Sequence, residues 1–286
     1  MGKKLEFTVE KPERVLTFLA LVVAGLSRAK ADLLVKSGEV RVNGLRVKSN
    51  AELNTGDTVA VFVPDGLKNK SEVAVVYEDE NIAVFDKPKR TPYDALPELY
   101  GAPLFAVHRL DTNTTGLIVF AKTSEALAEL ERAFKERRVK KVYETVVCPA
   151  PVKDSDTLTA YAKLMPSQNR VLVSATQKPG YKQMITEYSV KQRIGSAAVL
   201  RVILHTGRTH QIRAHLCFIG CPVIGEHKYG ISGNKVSGAP DTQMLAAVEL
   251  SFEGLINGLE YLNGKTFTTD NGFDLAFLRD AAARRS

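Results

Sequence analysis

Within four consecutive positions, His108-Arg109-Leu110-Asp111, the chain places an imidazole, a guanidinium and a carboxylate. A carboxylate is suited to form a covalent intermediate. This one enters a polar turn, Thr112-Asn113-Thr114-Thr115, that closes on Gly116. Asp, Asn, Thr and Gly are also ordinary turn formers, because their short side chains bond their own backbone or tolerate unusual dihedrals. Loop punctuation is therefore the competing reading, and three ionisable groups crowded before the turn weigh against it. A second cluster, His210, His215, Cys217, Cys221 and His227, has residue types that zinc accepts. It holds no close cysteine pair, and the His-x-Glu with Pro-Cys-x-x-Cys arrangement of zinc deaminases is absent. No metal is expected, and Cys217 and Cys221 read as small core residues. Gly230-Ile231-Ser232-Gly233-Asn234-Lys235 lacks the spacing of a phosphate cradle, which argues against use of a nucleoside triphosphate.

The elements that must position these groups follow from periodicity. Apolar runs at 104–107 and 116–121 flank the turn, so the central stretch reads as strand, turn, strand. Ser124 to Arg138 is the clearest helix, with Leu127, Leu130 and Phe134 on its core face. Its basic residues, continued by Lys140 and Lys141, read more readily as a solvated surface than as a nucleic-acid track. A strand at 141–147 puts Val142 and Val146 on one face and Lys141, Tyr143 and Thr145 on the other. Further strands at 73–77, 82–85, 158–165, 171–175, 185–190 and 198–204, several alternating, predict a mixed or antiparallel sheet with a helix at 209–218 docked on it.

The first 66 residues read as a unit of their own. Pro12 suits the first position of a helix carrying Leu16, Leu19, Ala20 and Val23 up to Gly25. Ser27 can cap a second helix that ends at Gly38. Val40-Arg41-Val42, Asn43-Gly44 and Leu45-Arg46-Val47 form a hairpin signal, since Asn-Gly accepts the positive dihedrals of a tight turn. Pro64 to Ser71 is polar and turn-rich, which marks a linker.

At 286 residues, 44% hydrophobic and 25% charged, the chain can build a sizeable core in one or two domains. A formal net charge of +7 suggests an anionic partner. No apolar run approaches the roughly 20 residues that cross a bilayer, and the first residues lack the apolar core of a signal peptide. A cytoplasmic protein is expected. Three cysteines fit reduced thiols rather than a disulfide framework.

Three ordered segments carry a family likeness. His108-Arg109-Leu110-Asp111 running to Gly116-Leu117 and Ala121-Lys122, Lys141-Val142-Tyr143-Glu144, and His205-Thr206-Gly207-Arg208-Thr209-His210-Gln211-Ile212-Arg213 together resemble the motifs of RluA-type pseudouridine synthases. Two departures stand out: Thr114-Thr115-Gly116 replaces the usual Thr-Ser-Gly, and Pro88-Lys89-Arg90-Thr91-Pro92 replaces a Pro-Ala-Gly-like loop. The helix-helix-hairpin start, with Ser27-Arg28-Ala29-Lys30, Lys36-Ser37-Gly38 and Val40-Arg41-Val42-Asn43-Gly44, resembles the alpha-L RNA-binding domain first known from a small-subunit ribosomal protein.

The resemblance implies an α+β fold: a mixed, mainly antiparallel catalytic domain at 73–286, a linker at 67–72 and an alpha-L domain at 1–66. It implies isomerisation of uridine in RNA, which exchanges no electrons and needs neither cofactor nor metal. Asp111 would be the nucleophile, Arg213 the cation paired with it, and Tyr143 the aromatic that stacks on the flipped base. Arg109 would fill the space left by the base, with His108 and Ile212 beside the substrate. Arg28, Lys30, Lys36 and Arg41 would meet the phosphate backbone, or else form only a solvated basic surface. Large-subunit ribosomal RNA is the first expectation for the target and transfer RNA the second, with a monomeric enzyme. The alternative from another class is a non-catalytic RNA-binding factor in ribosome assembly.

Overall fold

The computed structural model describes residues 3–23, 26, 28–63, 73–229, 236–270 and 272–283. The chain divides into two compact units, residues 1–73 with 94–104, and residues 74–93 with 105–286. The expected linker at 67–72 lies outside the described residues.

In the first unit the elements are β1 (Lys3–Thr8), β2 (Glu13–Arg14), α1 (Val15–Val22), α2 (Arg28–Ser37), β3 (Val40–Val42), β4 (Leu45–Arg46), β5 (Glu52–Leu53), β6 (Thr58–Val63) and the short α3 (Leu96–Tyr100). Four strands form an antiparallel sheet in the order β1-β6-β3-β4. Leu19, Ala31, Val35, Val59 and Val61 are buried between its face and the helices. Asn43 and Gly44 both have positive φ, 50° and 80°, the backbone that a tight hairpin between β3 and β4 requires. Pro12 does not begin α1: Glu13 and Arg14 are extended and pair with Leu53 and Glu52, so strand pairing pushes the helix start to Val15. The proposed cap Ser27 lies outside the described residues.

The second unit comprises β7 (Ala74–Glu78), β8 (Ile82–Lys87), β9 (Phe105–Ala106), β10 (Thr115–Ala121), α4 (Ser124–Lys135), β11 (Val139–Val147), β12 (Ser155–Met165), β13 (Arg170–Ser174), β14 (Lys182–Ile194), β15 (Ala197–Leu204), α5 (Gln211–Phe218), β16 (Leu245–Phe252), β17 (Thr266–Thr268) and α6 (Ala276–Ala283). The strands make one 11-stranded sheet in the order β13-β12-β14-β15-β11-β16-β10-β8-β7, with β17 on β16 and β9 on β10. Its pairings are antiparallel except β10 with β16, so the fold is α+β. The helix after the central turn stops at Lys135, three residues before the expected end, because Arg137 takes a left-handed φ of 61°. Thr123 caps its start, accepting the Ala126 amide. Leu130, Ala126 and Ala133 of α4 pack on Leu117 and Val119 of β10 in the main core. Among the described residues no helix is long and apolar enough to cross a membrane.

Candidate active site

Three central strands set the geometry. Gly116 of β10 and Tyr143 of β11 both lie opposite Ala247 of β16, so the turn that leads into β10 is held two strands from Tyr143. Gly116 has φ 100°, and a Cβ on it would lie 2.1 Å from the Ala247 carbonyl oxygen. Only glycine lets the two strands approach so closely. At Tyr143 the β11–β16 register slips, from Val142 opposite Glu249 to Tyr143 opposite Ala247. Such bulges re-aim a side chain, here a phenol buried to 7% exposure.

The turn itself is closed by the Thr114 amide on the Asp111 carbonyl at 2.9 Å, and buried Thr114 accepts a hydrogen bond from Gln243 at 2.8 Å. Beneath it lies Lys87, with no exposed surface, whose ammonium donates to the carbonyls of Pro88, Thr91 and Thr112 at 3.0, 2.8 and 3.0 Å. Burial pushes its pKa down to about 8 despite the opposing charges of Asp111 and Asp86. One cation thus ties the unusual Pro88–Pro92 loop to the residue that follows Asp111. β8 also runs two residues further than its apolar pattern indicates, and Lys87 still pairs with Gly116.

Asp111 and Arg213, 102 positions apart, meet: Arg213 Nη1 donates to Asp111 Oδ2 at 2.6 Å. The rest of the guanidinium fork is taken by Glu226, with Nε on Oε2 at 2.6 Å and Nη2 on Oε1 at 3.0 Å. The Glu226 side chain is fully buried, and its Oε1 also accepts the amides of Lys228 and Tyr229. Burial opposes charge on Arg213, but Glu226 and Asp111 outweigh it and raise its pKa further. Gly225, with φ 78°, leads into this clamp, and a Cβ there would lie 2.2 Å from the Thr242 carbonyl oxygen. A bidentate Arg between two carboxylates is oriented in a plane as well as charged, which Lys cannot reproduce.

The helix that carries Arg213 is set by its first residues. His210 precedes α5 with φ 51°, and Gln211 fixes the loop before it. Its Oε1 accepts the Thr206 hydroxyl and the Arg208 amide at 2.8 and 2.9 Å, while its Nε2 donates to Ile185 O and Thr186 Oγ1. Buried Ile212, on the next position, lines the cleft.

Asp111, Tyr143 and Arg213 share one cleft of about 830 Å³. Arg109, Lys135, Arg137, Lys140, Lys141 and Arg208 also line it, against the carboxylates of Asp111 and Glu187. This weighs against the reading of the 135–141 run as mere solvation, since four of its cations face the cleft. Burial, then the charge of Asp111, raises the Tyr143 hydroxyl and keeps the phenol protonated. Arg109 is exposed, its guanidinium 5.8 Å from the Tyr93 ring centre. His108 also borders the cleft, but its Nε2 accepts the Val119 amide at 3.1 Å and its ring stacks on Phe134 at 4.6 Å. Burial, then the charge of Lys141, drives its pKa down to about 3. Its Nε2 therefore braces the turn against β10, while the residue still lines the cleft.

The other sequence-derived sites divide. Of the four cations in the first unit, the side chains of Arg28 and Lys30 lie outside the described residues. Lys36 pairs with Asp32 at 2.6 Å, and Arg41 lies over the Phe62 ring at 5.5 Å. In the His/Cys cluster the donor atoms are engaged elsewhere: His215 with Thr186 Oγ1, His227 with the Asp241 carbonyl, Cys217 with the Tyr229 carbonyl. Sequence reasoning missed Lys87, Glu226 and Tyr229. For Glu226 and Tyr229 a signal existed, an acid directly after the apolar 221–225 stretch that ends in Gly225, and a tyrosine three positions beyond that acid.

A turn-borne carboxylate clamped by a buried guanidinium and facing a protonated phenol, in a cation-lined cleft of this sheet, agrees with what comparison with known proteins finds. The chain belongs to the RNA pseudouridylate synthase family: the family model matches residues 68–217, and an S4 domain matches residues 13–59. It is thus an isomerase of RNA uridines. An uncharacterized RNA pseudouridine synthase of Aquifex aeolicus is 36% identical over 88% of this chain and 90% of that protein. A ribosomal large subunit pseudouridine synthase D of Pasteurella multocida is 32% identical, covering 74% of this chain and 71% of its own length. In fold, the chain resembles human RNA pseudouridylate synthase domain containing 4, with a TM-score of 0.58 at 22% identity, over 73% of this chain and 93% of that one.

Proposed function

We propose that this enzyme isomerises a specific uridine of large-subunit ribosomal RNA in the cytoplasm, as a monomer, with Asp111 as nucleophile. The observation that carries the reading is the 2.6 Å contact of Arg213 with Asp111 Oδ2 at the wall of the cleft that also holds Tyr143. The reaction breaks the bond from N1 to the ribose and makes one from C5, losing a proton at C5 and gaining one at N1. No cofactor is needed, because no electrons leave the base.

In this reading the uridine leaves its stack, at a cost of a few kcal/mol, and enters the cleft against Tyr143. The phenol offers a face for stacking and, protonated, a proton to donate. Arg213 compensates the charge of Asp111 and fixes the direction of its lone pairs, which is the positioning that covalent catalysis requires. Arg109, exposed at the rim, fills the gap left by the flipped base, and Ile212 supplies an apolar wall. The cations at the cleft mouth and those of the first unit, Arg28, Lys30, Lys36 and Arg41, neutralise phosphates.

The ribosomal target is supported by relatives of Pasteurella multocida and Xylella fastidiosa, 32% and 30% identical, that are named ribosomal large subunit pseudouridine synthase D. Mapping pseudouridines in RNA from a strain lacking this gene tests it. A site lost from large-subunit ribosomal RNA and regained on complementation is the expected result; a site lost only from transfer RNA would overturn the ribosomal assignment.

A further inference from the structure

His210 stands on the side of Asp111 opposite to the guanidinium contact. Arg213 holds Oδ2, whereas His210 Nε2 lies 3.8 Å from Oδ1, just beyond hydrogen-bond reach. The other ring nitrogen, Nδ1, is 2.7 Å from the Tyr229 hydroxyl, and that hydroxyl accepts the Val171 amide at 2.9 Å. With Val171 donating to the phenol oxygen, the arrangement that gives the phenol proton an acceptor has it donated to Nδ1. An imidazole that accepts at Nδ1 carries its proton on Nε2. The ring is buried, to 9% exposure for the residue, and its left-handed backbone at φ 51° is held by α5 behind it.

We propose that His210 is a positioning residue for Asp111, locked by Tyr229 in the tautomer that presents Nε2–H to the carboxylate oxygen that Arg213 leaves free. This rests on Asp111 being the nucleophile. Among the described residues no hydrogen bond reaches Oδ1, so this oxygen keeps its lone pairs for attack while the N–H dipole steadies the side chain. A neutral ring is essential to this role: an imidazolium at the same place would draw Oδ1 into an ion pair and lower its nucleophilicity. Burial favours neutrality, while the surrounding charges divide. Burial is the main cause that lowers the His210 pKa, Arg213 and Lys228 add to it, and Asp111 and Glu226 oppose it. Hydrogen bonds thus run from the Val171 amide through Tyr229 to His210, whose Nε2 stands 3.8 Å from Asp111 Oδ1, and Tyr229 lies on the loop that also delivers Glu226 to Arg213.

Two measurements on the full-length protein test the proposal. Long-range proton–nitrogen NMR of the His210 ring reads the tautomer directly. A neutral ring protonated on Nε2 at neutral pH is expected; one protonated on Nδ1, or an imidazolium, overturns it. The second is the pH profile of kcat for Tyr229→Phe and His210→Asn, the latter chosen because Asn tolerates the left-handed backbone. Each should lower kcat about tenfold with KM for RNA unchanged, and the double variant should fall no further, as for residues that act as one unit. In Tyr229→Phe the acid limb of kcat should move to higher pH, because Nδ1 becomes open to a proton. Additive losses with an unmoved acid limb overturn the proposal. Retention of activity by Asp111→Asn would instead strike the nucleophile assignment, and the tautomer measurement would still stand.

Discussion

Replacing Glu226 by Gln keeps the size of a fully buried side chain and removes the charge that holds Arg213 in place. The native carboxylate accepts from Nε at 2.6 Å and from Nη2 at 3.0 Å. A Gln can keep one of these bonds and must turn its own amide protons toward the other donor. Hydrogen bonds to charged groups contribute about 1.5–3 kcal/mol each. Because Arg213 retains Asp111, the loss should stay below the roughly 3–5 kcal/mol of an orphaned buried charge. About 2–3 kcal/mol is expected, which lowers Tm by roughly 5–10 °C in a domain of this size. If half or more of that orientation is lost to Asp111 in the transition state, kcat falls about 10- to 100-fold. The pH dependence fixes the sign. Burial alone would raise the Glu226 carboxyl, but Arg213 and the amides of Lys228 and Tyr229 reverse this and hold it below its ordinary value of 4.5. Its stabilisation is therefore complete above that value and is lost as pH falls through the depressed folded pKa. Thermal melts of both proteins from neutral to strongly acid pH, with turnover measured alongside, are the assay. The Tm gap should close in acid; a gap that persists there, or an unchanged kcat, would refute the clamp.

Gly116→Ala should cost several kcal/mol or prevent folding, since its Cβ would lie 2.1 Å from the Ala247 carbonyl oxygen; a melt within about 1 kcal/mol of native, on the same scale of mutant effects, would mean that the β10–β16 pairing is looser than described. Lys87→Met should lower kcat more than RNA affinity, because three carbonyls that shape the loop and turn lose their common donor. It should also abolish a rise in stability on going from the folded pKa of about 8 toward the ordinary 10.5, the range in which the unfolded lysine still binds the proton that the folded one has released. Neutralising Arg28, Lys30, Lys36 and Arg41 together should flatten the fall of log affinity with log salt by about 0.7 to 0.9 for each phosphate that the variant no longer neutralises. Identical slopes in a salt titration would make these residues solvated surface only.

The parts of the site that were legible in sequence are those set by local chemistry. Asp111 in a turn between apolar runs, the Asn43-Gly44 hairpin and the alternation that turns Tyr143 from the apolar side all follow from neighbours within a few positions. The pairing of Asp111 with Arg213 came from the family resemblance, and the two side chains lie 2.6 Å apart. What escaped reading depends on distant partners. Glu226 matters because Gly225 brings it under α5, and Lys87 because β8 pairs two residues past its apolar pattern. The bracing contact of His108 was also not legible, since only the fold shows that its Nε2 accepts the Val119 amide. The starts and ends of helices erred for the same reason: pairing with β5 claims Glu13 and Arg14, and Arg137 ends α4 in a conformation that its residue type does not announce.

The most direct measurement is single-turnover release of tritium from large-subunit ribosomal RNA labelled at C5 of uridine, with the native enzyme and with Asp111→Asn. The substitution keeps the shape of the side chain and removes the nucleophile. The native enzyme should release tritium from one site, and Asp111→Asn should bind the RNA with similar affinity and release none above background. Release by Asp111→Asn within about tenfold of the native rate would contradict the role of Asp111.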